Sequence, residues 1–573
     1  MPAGIQVTGT GNITIVGQGS TLGSGVGILV SGTPISTNTG AIDLTGTTGT
    51  IGSQQYGIYQ NNGSQVTSTS GSIAYLGTAL SGSGDNDGIR VEGVGTLIRS
   101  GGNINLTGIS QATVGDFNDG ILLHLTAAIE TTGSGSITLD GSSTGVGGAD
   151  RSIVTTGGGT AIRAVSGDIS LIGRGTGAGV TGIFMDGTTL GGATATGDIS
   201  LVADTRNLAS TIPQSTGKLT IAPYTRGTDF TPNFGTIPTG FSSFTIGSAT
   251  TGTVNLTSSA TLGIPTTILG ATIALANGVA LNTGTNDLTL NASQNILLNP
   301  GSSLTSTSGD ITLIANPGGT IATNAHAIYL EGGIITTTTG GIILDGTTSA
   351  SGGSFRHGLY IRGGARVEST GVGAGVGSVQ LTGLTLGSED TQGIRMELGG
   401  TVQTVDANLT VNAISQAPSG NFTPGIFMQS DSAVRTTGTG ALTLNATGTL
   451  GSYGLVLGTV VEATGTGDLL INALGGPTAT ADLFSNDWII NKTGGTATLN
   501  GRLSIGNLVA NAGDYTVNLT SGGTIASGTF NHTGTLSLNN ASTNTLTFTN
   551  GLTHTTGLTE VQGTIATVNS PLR

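Results

Sequence analysis

The sequence contains no cysteine and few charged or aromatic residues. Without cysteine there is no disulfide framework, so the fold must be held by hydrogen bonds and packing. Charged residues are only 8% of the 573 residues, and 16 lysines and arginines do not supply the basic surface that nucleic-acid binding requires. The Ala/Leu/Glu/Lys/Arg pattern of helical proteins is missing, and no apolar run approaches the length of a membrane span. The sequence therefore predicts neither a helical protein, nor a nucleic-acid binder, nor a membrane span.

Glycine, in contrast, is abundant, at 103 of 573 residues. The glycines do not recur at every third position, which excludes a collagen helix. Hydrophobic residues make up 35% of the chain and fall mostly in short alternating runs, which argues against disorder. These observations favour an all-β protein built from short strands and small turns.

A five-residue motif, Gly-x-Ile-x-Leu, recurs in the first half at a spacing of about 31 residues. A second motif, Gly-Ile followed by a short strand, runs in step with it. Copies of the first motif lie at 40–44, 102–106, 135–139, 167–171 and 197–201, with a looser copy at 71–75, and copies of the second begin at Gly27, Gly57, Gly88, Gly120 and Gly182. Two motifs that share one period indicate a structural repeat.

Each repeat predicts one coil of a parallel β-helix. Side chains alternate between the two faces of a strand, so Ile104 and Leu106 point one way and Asn105 the other. One coil cannot bury its aliphatic face alone, but stacked coils close an aliphatic interior. We expect each coil to contain a Gly-Ile strand, a short Thr/Val strand, the Gly-x-Ile-x-Leu strand and a variable loop. The handedness preference of crossover connections favours a right-handed coil. At about 4.8 Å per coil, about 18 coils would form a rod of about 85 Å.

A larger repeat is superimposed on the small one. Residues 88–90, 109–112 and 120–121 recur at 393–395, 414–417 and 425–426, each time 305 positions later. The chain is therefore predicted to be a tandem duplication. The predicted segments are 1–204 (first copy), 205–298 (divergent, proline-containing coils that join the halves), 299–475 (second copy) and 476–573 (C-terminal coils).

The residue after each Gly-Ile is predicted to point outward. Aromatic and arginine residues are concentrated at this position: Tyr59, Arg90, Phe184, Tyr329, Tyr360, Arg395 and Phe427, with Leu29, Leu122 and Val456 at the equivalent places. Stacked aromatic rings between arginines are suited to holding sugar rings or to packing against a neighbouring copy. The alternative is that a loop folds over this face and buries these side chains.

Acidic residues gather in the loops that precede the Gly-Ile strands. They are Asp85, Asp87, Asp116, Asp119, Asp150, Glu389 and Asp390. Calcium binding and paired carboxylates for glycoside hydrolysis are two functional interpretations. The third is turn chemistry, in which Asp side chains bond to nearby backbone groups. The calcium-binding nonapeptide of β-rolls does not occur in tandem, so we expect no resident cofactor, with calcium as the alternative.

No catalytic or zinc site stands out elsewhere in the sequence. The five histidines are scattered, with no pair at ligand spacing, and no serine–histidine arrangement is recognisable. The chain is therefore expected not to be an enzyme.

Several segments resemble the large repeat-built bacterial exoproteins of the filamentous-haemagglutinin type. The resemblance is carried by strands such as 167–171 (Gly-Asp-Ile-Ser-Leu) and 309–313 (Gly-Asp-Ile-Thr-Leu), by 218–224 and 240–247, and by the closing run 534–563. It implies a right-handed β-helix secreted to the bacterial cell surface as part of a much longer adhesin. The opening Met-Pro-Ala-Gly-Ile-Gln is not typical of a signal peptide, so we expect either a cytoplasmic chain or, as the resemblance implies, a piece of a longer exported protein.

The leading functional hypothesis is a non-enzymatic extracellular rod, a β-helical segment of a surface adhesin or fibre. Its expected partners are a host or neighbouring cell surface, glycans or other copies of the chain. The first alternative is a filament subunit that stacks head to tail, because 4–7 and 563–568 have the pattern of ordinary coil strands without an obvious cap. The second is a polysaccharide lyase or depolymerase that uses Asp85, Asp87, Asp116, Asp119 and Arg90.

Overall fold

The computed structural model divides the chain into two compact units. The first unit comprises Met1–Phe230 with Gly235–Gly252, and the second comprises Thr231–Phe234 with Thr253–Arg573. The structure describes residues 4–20, 25–49, 52–80, 82–209, 211–232, 240–319, 326–350, 355–387, 390–417, 422–429, 431–449, 451–539 and 544–568. Within these ranges the one helical element is the 3-10 turn Pro317–Gly319, and no helix there is long and apolar enough to cross a membrane.

The first unit consists of three parallel sheets, and most coils contribute one strand to each of them. The Gly-Ile sheet contains Val26–Ser31, Tyr56–Asn61, Asp87–Glu92, Ile121–His124, Arg151–Thr156, Thr181–Met185 and Arg206–Asn207. The short sheet contains Ile5–Val7, Ile35–Thr37, Gln65–Ser68, Leu97–Ser100, Ala128–Thr131, Ala161–Arg163 and Thr189–Leu190. The third sheet, here called the motif sheet, contains Ile13–Gln18, Ile42–Thr47, Ile73–Ala79, Ile104–Ser110, Ile137–Ser143, Ile169–Gly175, Ile199–Ala203, Lys218–Ala222 and Ser243–Gly247.

The second unit repeats this arrangement. Its short sheet contains Ala260–Thr261, Ala280–Asn282, Ser303–Ser306, Ile334–Thr337, Arg366–Ser369, Thr401–Thr404, Ala433–Thr436 and Val460–Ala463. Its motif sheet contains Ile311–Ala315, Ile342–Thr347, Val379–Thr385, Leu409–Ser415, Leu442–Thr447, Leu469–Leu474, Thr496–Asn500, Thr516–Leu519, Thr535–Asn539 and Leu558–Gln562. Its Gly-Ile sheet contains Thr253–Leu256, Ile328–Glu331, Leu359–Arg362, Ile394–Met396, Ile426–Met428, Leu455–Leu457, Leu483–Ile490, Leu503–Ala510, Gly523–Phe530, Leu546–Phe548 and Ile565–Thr567, and Leu552–His554 pairs with the second half of Gly523–Phe530. Thr266–Leu275 and Leu288–Leu298 are long strands that contribute to both the motif sheet and the Gly-Ile sheet.

The in-register pairing confirms the predicted parallel β-helix. Ile104 pairs with Ile73 on one side and with Ile137 on the other, so equal positions of successive coils stack directly. The side chains of these three isoleucines are fully buried, whereas Asn105 is exposed. The order of strands along a coil is also the predicted one: Gly-Ile strand, short strand, motif strand.

Two kinds of close contact explain the first two residues of the Gly-x-Ile-x-Leu motif. A Cβ atom on Gly135 or Gly167 would overlap the carbonyl oxygen of the motif glycine one coil earlier, so only glycine allows the coils to approach this closely. The following position stacks through its side chain. The Asp168 Oδ1 atom accepts a 2.8 Å hydrogen bond from the backbone N–H of Asp198, whose own Oδ1 accepts one from Lys218. The motif therefore encodes contact between coils rather than the conformation of one coil alone.

The 31-residue period is not uniform. Ile199 pairs with Leu219 and Leu499 pairs with Leu519, so in these regions one coil takes 20 residues. Between Leu483 and Phe530, single bent strands replace the separate Gly-Ile and short strands, which removes a turn from each coil. The prediction of about 31 residues per coil is therefore wrong for these segments, although their strands still pair in parallel.

Candidate functional site on the Gly-Ile sheet

The predicted outward residues form one continuous column on the Gly-Ile sheet of each unit, here called the outer column. Pairing along the sheet places its members in register: Leu29, Tyr59, Arg90, Leu122, Val154 and Phe184 in the first unit, and Tyr329, Tyr360, Arg395, Phe427, Val456 and Phe484 in the second. Val154 and Phe484, which follow Ser-Ile and Asp-Leu, were not among the predicted members.

The outer column is less exposed than expected. Leu29 is 58% exposed, but Tyr360 is 8% exposed and Val154 only 1%. The expectation that the residue after Gly-Ile points freely into solvent is therefore wrong for Tyr360, Leu122 and Val456, which are all buried. Tyr59, Phe184, Tyr329 and Phe427 are half-buried.

The side chains that cover the outer column belong to the residues three positions before its members. These residues form a second line, here called the flanking column, that includes Tyr56, Asp87, Asp119 and Arg151 in the first unit and His326, His357 and Gln392 in the second. The rings of Tyr56 and Tyr59 lie 5.0 Å apart, and those of His326 and Tyr329 lie 5.3 Å apart. The side chains at the ends of the preceding loops thus bury one side of the outer column.

Arg90 is surrounded by carboxylates. Its Nη1 atom lies 2.8 Å from Asp85 Oδ1 and 3.3 Å from Asp87 Oδ2, and its Nε atom lies 2.9 Å from Glu92 Oε2. The guanidinium also stands 5.0 Å from the centre of the Tyr56 ring. Its side chain is only 18% exposed, so the positive charge is compensated within the protein.

Two tyrosine hydroxyls complete this first cluster. Tyr56 donates a 2.9 Å hydrogen bond to Asp85 Oδ2, and Tyr59 donates to Glu92 Oε1. Burial would raise the pKa of Glu92, but the hydrogen bonds from Tyr59 and Arg90 hold it below its ordinary value. Glu92 is therefore an anion that joins two coils.

The second unit contains a related cluster around Arg395. The Arg395 Nη2 and Nε atoms donate hydrogen bonds of 2.8 and 3.0 Å to Glu397 Oε2, and the Tyr360 hydroxyl donates to Glu397 Oε1. Gln429 Nε2 adds a 3.2 Å hydrogen bond to the same carboxylate. Arg395 also stands 5.1 Å from the centre of the Phe427 ring and 5.7 Å from that of Tyr360.

The two clusters share a tyrosine from one coil and an arginine and a glutamate from the next. Arg90 and Glu92 correspond to Arg395 and Glu397 at the 305-residue offset. The glutamates were missed by the sequence analysis, although both copies contain Gly-Ile-Arg-x-Glu and this shared fifth residue was a usable signal.

The two central acidic candidates are structural carboxylates. Asp87 and Asp119 lie in register on adjacent coils and are 0% and 2% exposed. The Asp87 Oδ1 atom accepts a 3.2 Å hydrogen bond from the backbone N–H of Asp119, and Asp119 Oδ1 accepts a 3.0 Å hydrogen bond from that of Arg151. Burial raises the pKa of Asp119 to about 7. The pKa of Asp87 is raised well above its ordinary value by burial and by the charge of Asp119. A polysaccharide would not reach carboxylates at this depth.

The other acidic candidates take up separate positions. Asp116 is exposed, and Asp85 and Asp390, which are 305 residues apart, both have left-handed backbone conformations (φ of 53° and 51°), as turn residues do. Asp150 belongs to a different, buried ladder, in which its Oδ1 atom accepts hydrogen bonds of 2.9 and 3.2 Å from Asn118. Glu389 lies outside the described residues. The described residues therefore do not form one acidic ridge, and none of their acidic and histidine side chains form a group of three that could hold a metal ion.

The histidines are not scattered in space. His326 and His357 occupy the same position of adjacent coils, with ring centres 4.9 Å apart, and the His532 and His554 rings lie 4.9 Å apart as well. The sequence spacing did not reveal these two pairs, because a separation of about one coil length brings residues together in space. The Nδ1 atoms of His326 and His357 accept hydrogen bonds from the backbone N–H groups of His357 and Gln392, both of 3.2 Å, so these rings serve as neutral acceptors.

No protein-family model, curated protein or solved structure matches this chain. The resemblance to exoproteins of the filamentous-haemagglutinin type therefore stays a prediction, which rests on the repeat motifs alone.

Proposed function

We propose that this chain is a non-enzymatic structural and adhesive β-helix that is displayed outside the bacterial cell, as a segment of a surface adhesin or fibre. The observation that carries the proposal is the use of polar side chains to join successive coils. Asp168, Asp198 and Asp310 accept hydrogen bonds from the backbone of the next coil, and Asn412, Asn445, Asn472 and Asn500 form an amide ladder with N···O distances of 2.6 to 2.8 Å.

Such ladders favour stiffness over catalysis. A side chain that is bonded to the coils above and below it is held in one rotamer, and its polar atoms are already paired. Asp87 and Asp119, the most plausible catalytic carboxylates in the sequence, are used in the same manner. The half-buried rings and guanidinium groups of the outer column are then the chemically distinctive groups left for contact with a partner.

A binding and degradation assay with the whole chain tests this proposal. The purified chain is immobilised and exposed to a glycan array and to intact cells, and the same polysaccharides are incubated with the chain in solution. Adhesion without release of shorter saccharides is the expected result. Depolymerisation that is lost in both Asp87→Asn and Asp119→Asn would instead establish the enzymatic alternative.

Negative-stain electron microscopy over a range of concentrations tests the filament alternative. Discrete particles at all concentrations are expected for an adhesive segment. Filaments that lengthen with concentration would show that assembly, rather than adhesion, is the primary activity.

A further inference from the structure

The clusters around Arg90 and Arg395 share their central residues but differ in charge. Arg90 contacts three carboxylates within 3.3 Å. In the second unit, one carboxylate, that of Glu397, is shared by Arg395 and Arg362. The second cluster therefore has an excess of positive charge where the first has an excess of negative charge.

Arg362 is the less completely paired of these two arginines. Its Nη1 atom lies 3.9 Å from Glu397 Oε1, which is a loose ion pair, and donates a 3.2 Å hydrogen bond to the hydroxyl of Tyr360. Its Nε atom is buried, and it has no hydrogen-bond partner within the part of the chain that the structure describes. The side chain remains 30% exposed. A guanidinium carries five N–H donors, of which the buried Nε is out of reach of a ligand, so the remaining Nη donors of Arg362 are those available to an external anion.

The buried histidines beside this cluster are affected by the same positive charge. Burial, and then the charges of Arg395, Arg362 and Arg356, lower the pKa of His326 to about 4, while Glu397 opposes them. Glu331 is the other carboxylate nearby, and it pairs in register with Arg362 on the adjacent coil. Three arginines thus face two glutamates, and the histidines stay neutral at physiological pH.

An aromatic pair lies beside Arg362, whose guanidinium stands 5.4 Å from the centre of the Tyr360 ring. The ring of Tyr329 stacks on that of Tyr360 with centres 5.4 Å apart and planes inclined by 24°. Tyr360 is covered by its neighbours, whereas Tyr329 is half-buried and is preceded in the column by the smaller Leu297. A flat ring next to an arginine with unused donors suits a ligand that has both an apolar face and an anionic group.

We propose that Tyr329, Tyr360, Arg362 and Arg395, here called the Tyr329–Arg362 patch, bind an acidic saccharide. The sugar ring packs against the exposed part of Tyr329, and its carboxylate or sulfate group accepts hydrogen bonds from Arg362. Tyr360 stacks on Tyr329 and accepts a hydrogen bond from Arg362, and Arg395 and Tyr360 are themselves fixed by Glu397. The related patch around Arg90 does not bind such a ligand, because Asp85 and Glu92 already pair with its one arginine and repel an anion. This inference rests on the adhesive function proposed above and names its ligand class.

Isothermal titration calorimetry of the full chain tests the proposal. The probes are oligogalacturonate, which is carboxylated, chondroitin sulfate, which adds sulfate groups, and fully methyl-esterified oligogalacturonate, which keeps the ring but lacks the charge. Binding of at least one anionic probe but not of the methyl ester is expected. Arg362→Gln should weaken this binding by about tenfold or more, because a hydrogen bond to a charged group is lost. Arg366→Gln is the matched control, since it removes an exposed arginine of the same coil that is already paired with Glu368 at 3.1 Å.

Two further variants keep the test decisive. Tyr329→Ala should abolish binding, whereas Tyr329→Phe, which retains the ring, should preserve it. If Arg362→Gln fails to fold, Arg362→Lys keeps the charge without the planar fork and should still weaken binding. Equal affinity of wild type and the Arg362 variants, or equal affinity for the ester, would overturn the proposal.

The failure of this inference can be told apart from the failure of the proposed function. If the chain adheres to cells or neutral glycans but binds neither anionic probe, the patch assignment is wrong and the adhesive function stands. If it adheres to nothing on the array or on cells, both are wrong.

Discussion

Replacing Asp119 by asparagine should stabilise the first unit at neutral and alkaline pH. Burial raises the pKa of this carboxyl group from 3.8 to about 7, so the folded state binds its proton more tightly than the unfolded state does. The stability of the folded state must therefore fall as the pH rises from about 4 to about 7, and it stays at the lower level above that. A difference of about three pKa units corresponds to about 4 kcal/mol at pH 8.

Asparagine is a suitable replacement because it keeps the one interaction that the fold requires here. Its Oδ1 atom can still accept the hydrogen bond from the backbone N–H of Arg151, which is 3.0 Å in the native protein. Asp119→Asn therefore removes the charge and leaves the acceptor. The variant should be more stable than wild type at pH 8 and nearly equal to it at pH 4.

Hydrogen–deuterium exchange followed by mass spectrometry measures this effect locally. Opening free energies of peptides from 104–124 are compared at pH 5 and pH 8 after correction for the intrinsic exchange rates. Asp482→Asn is a control of opposite sign. Burial would raise the pKa of Asp482, but hydrogen bonds from Arg502 hold it below its ordinary value, so its charge stabilises the fold and its loss should destabilise the second unit at pH 8. An unchanged pH dependence in Asp119→Asn would refute the reasoning.

Three other substitutions probe the stacking of the coils. Gly108→Ala should destabilise the first unit by about 1–3 kcal/mol, because its Cβ would overlap a carbonyl oxygen at the corner of the coil, whereas Gly148→Ala, which has open space around it, should be nearly neutral in thermal unfolding. Ile137→Ala should cost about 2–5 kcal/mol through the cavity that it leaves, while Thr138→Ala, on the outer face of the same strand, should have little effect by the same measurement. His532→Phe should make the protein less sensitive to acid. Burial lowers the pKa of His532 to about 4, so the folded state loses stability as the pH falls from 6.5 toward 4. Equal acid midpoints of variant and wild type in the hydrogen–deuterium exchange of peptides from 523–539 would contradict this.

The repeat motifs predicted much of the architecture because β-helix coils are stacked with their residues in register. Once the Gly-x-Ile-x-Leu and Gly-Ile motifs define one coil, the inward position of Ile104 and the outward position of Arg90 follow from strand alternation alone. The order of the three strands along a coil and the members of the outer column that follow Gly-Ile were predictable on the same grounds.

The structure of the candidate site depended on features that strand alternation does not contain. Predicting that Val154 and Phe484 join the outer column, or that His326 lies beside His357, requires the length of each variable loop. This length could not be predicted, because coil length varies along the chain. The position of Asp87, whose Oδ1 atom accepts a hydrogen bond from the backbone N–H of Asp119, depends on how the adjacent coil stacks on it.

The sequence by itself thus determined which side of each strand faces the interior, because this depends on a local period of two residues. Only the tertiary structure decided which charges meet across coils. Arg90 faces three carboxylates, whereas Arg362 and Arg395 share one, because the flanking residues of neighbouring coils differ between the two copies of the same Gly-Ile-Arg-x-Glu sequence.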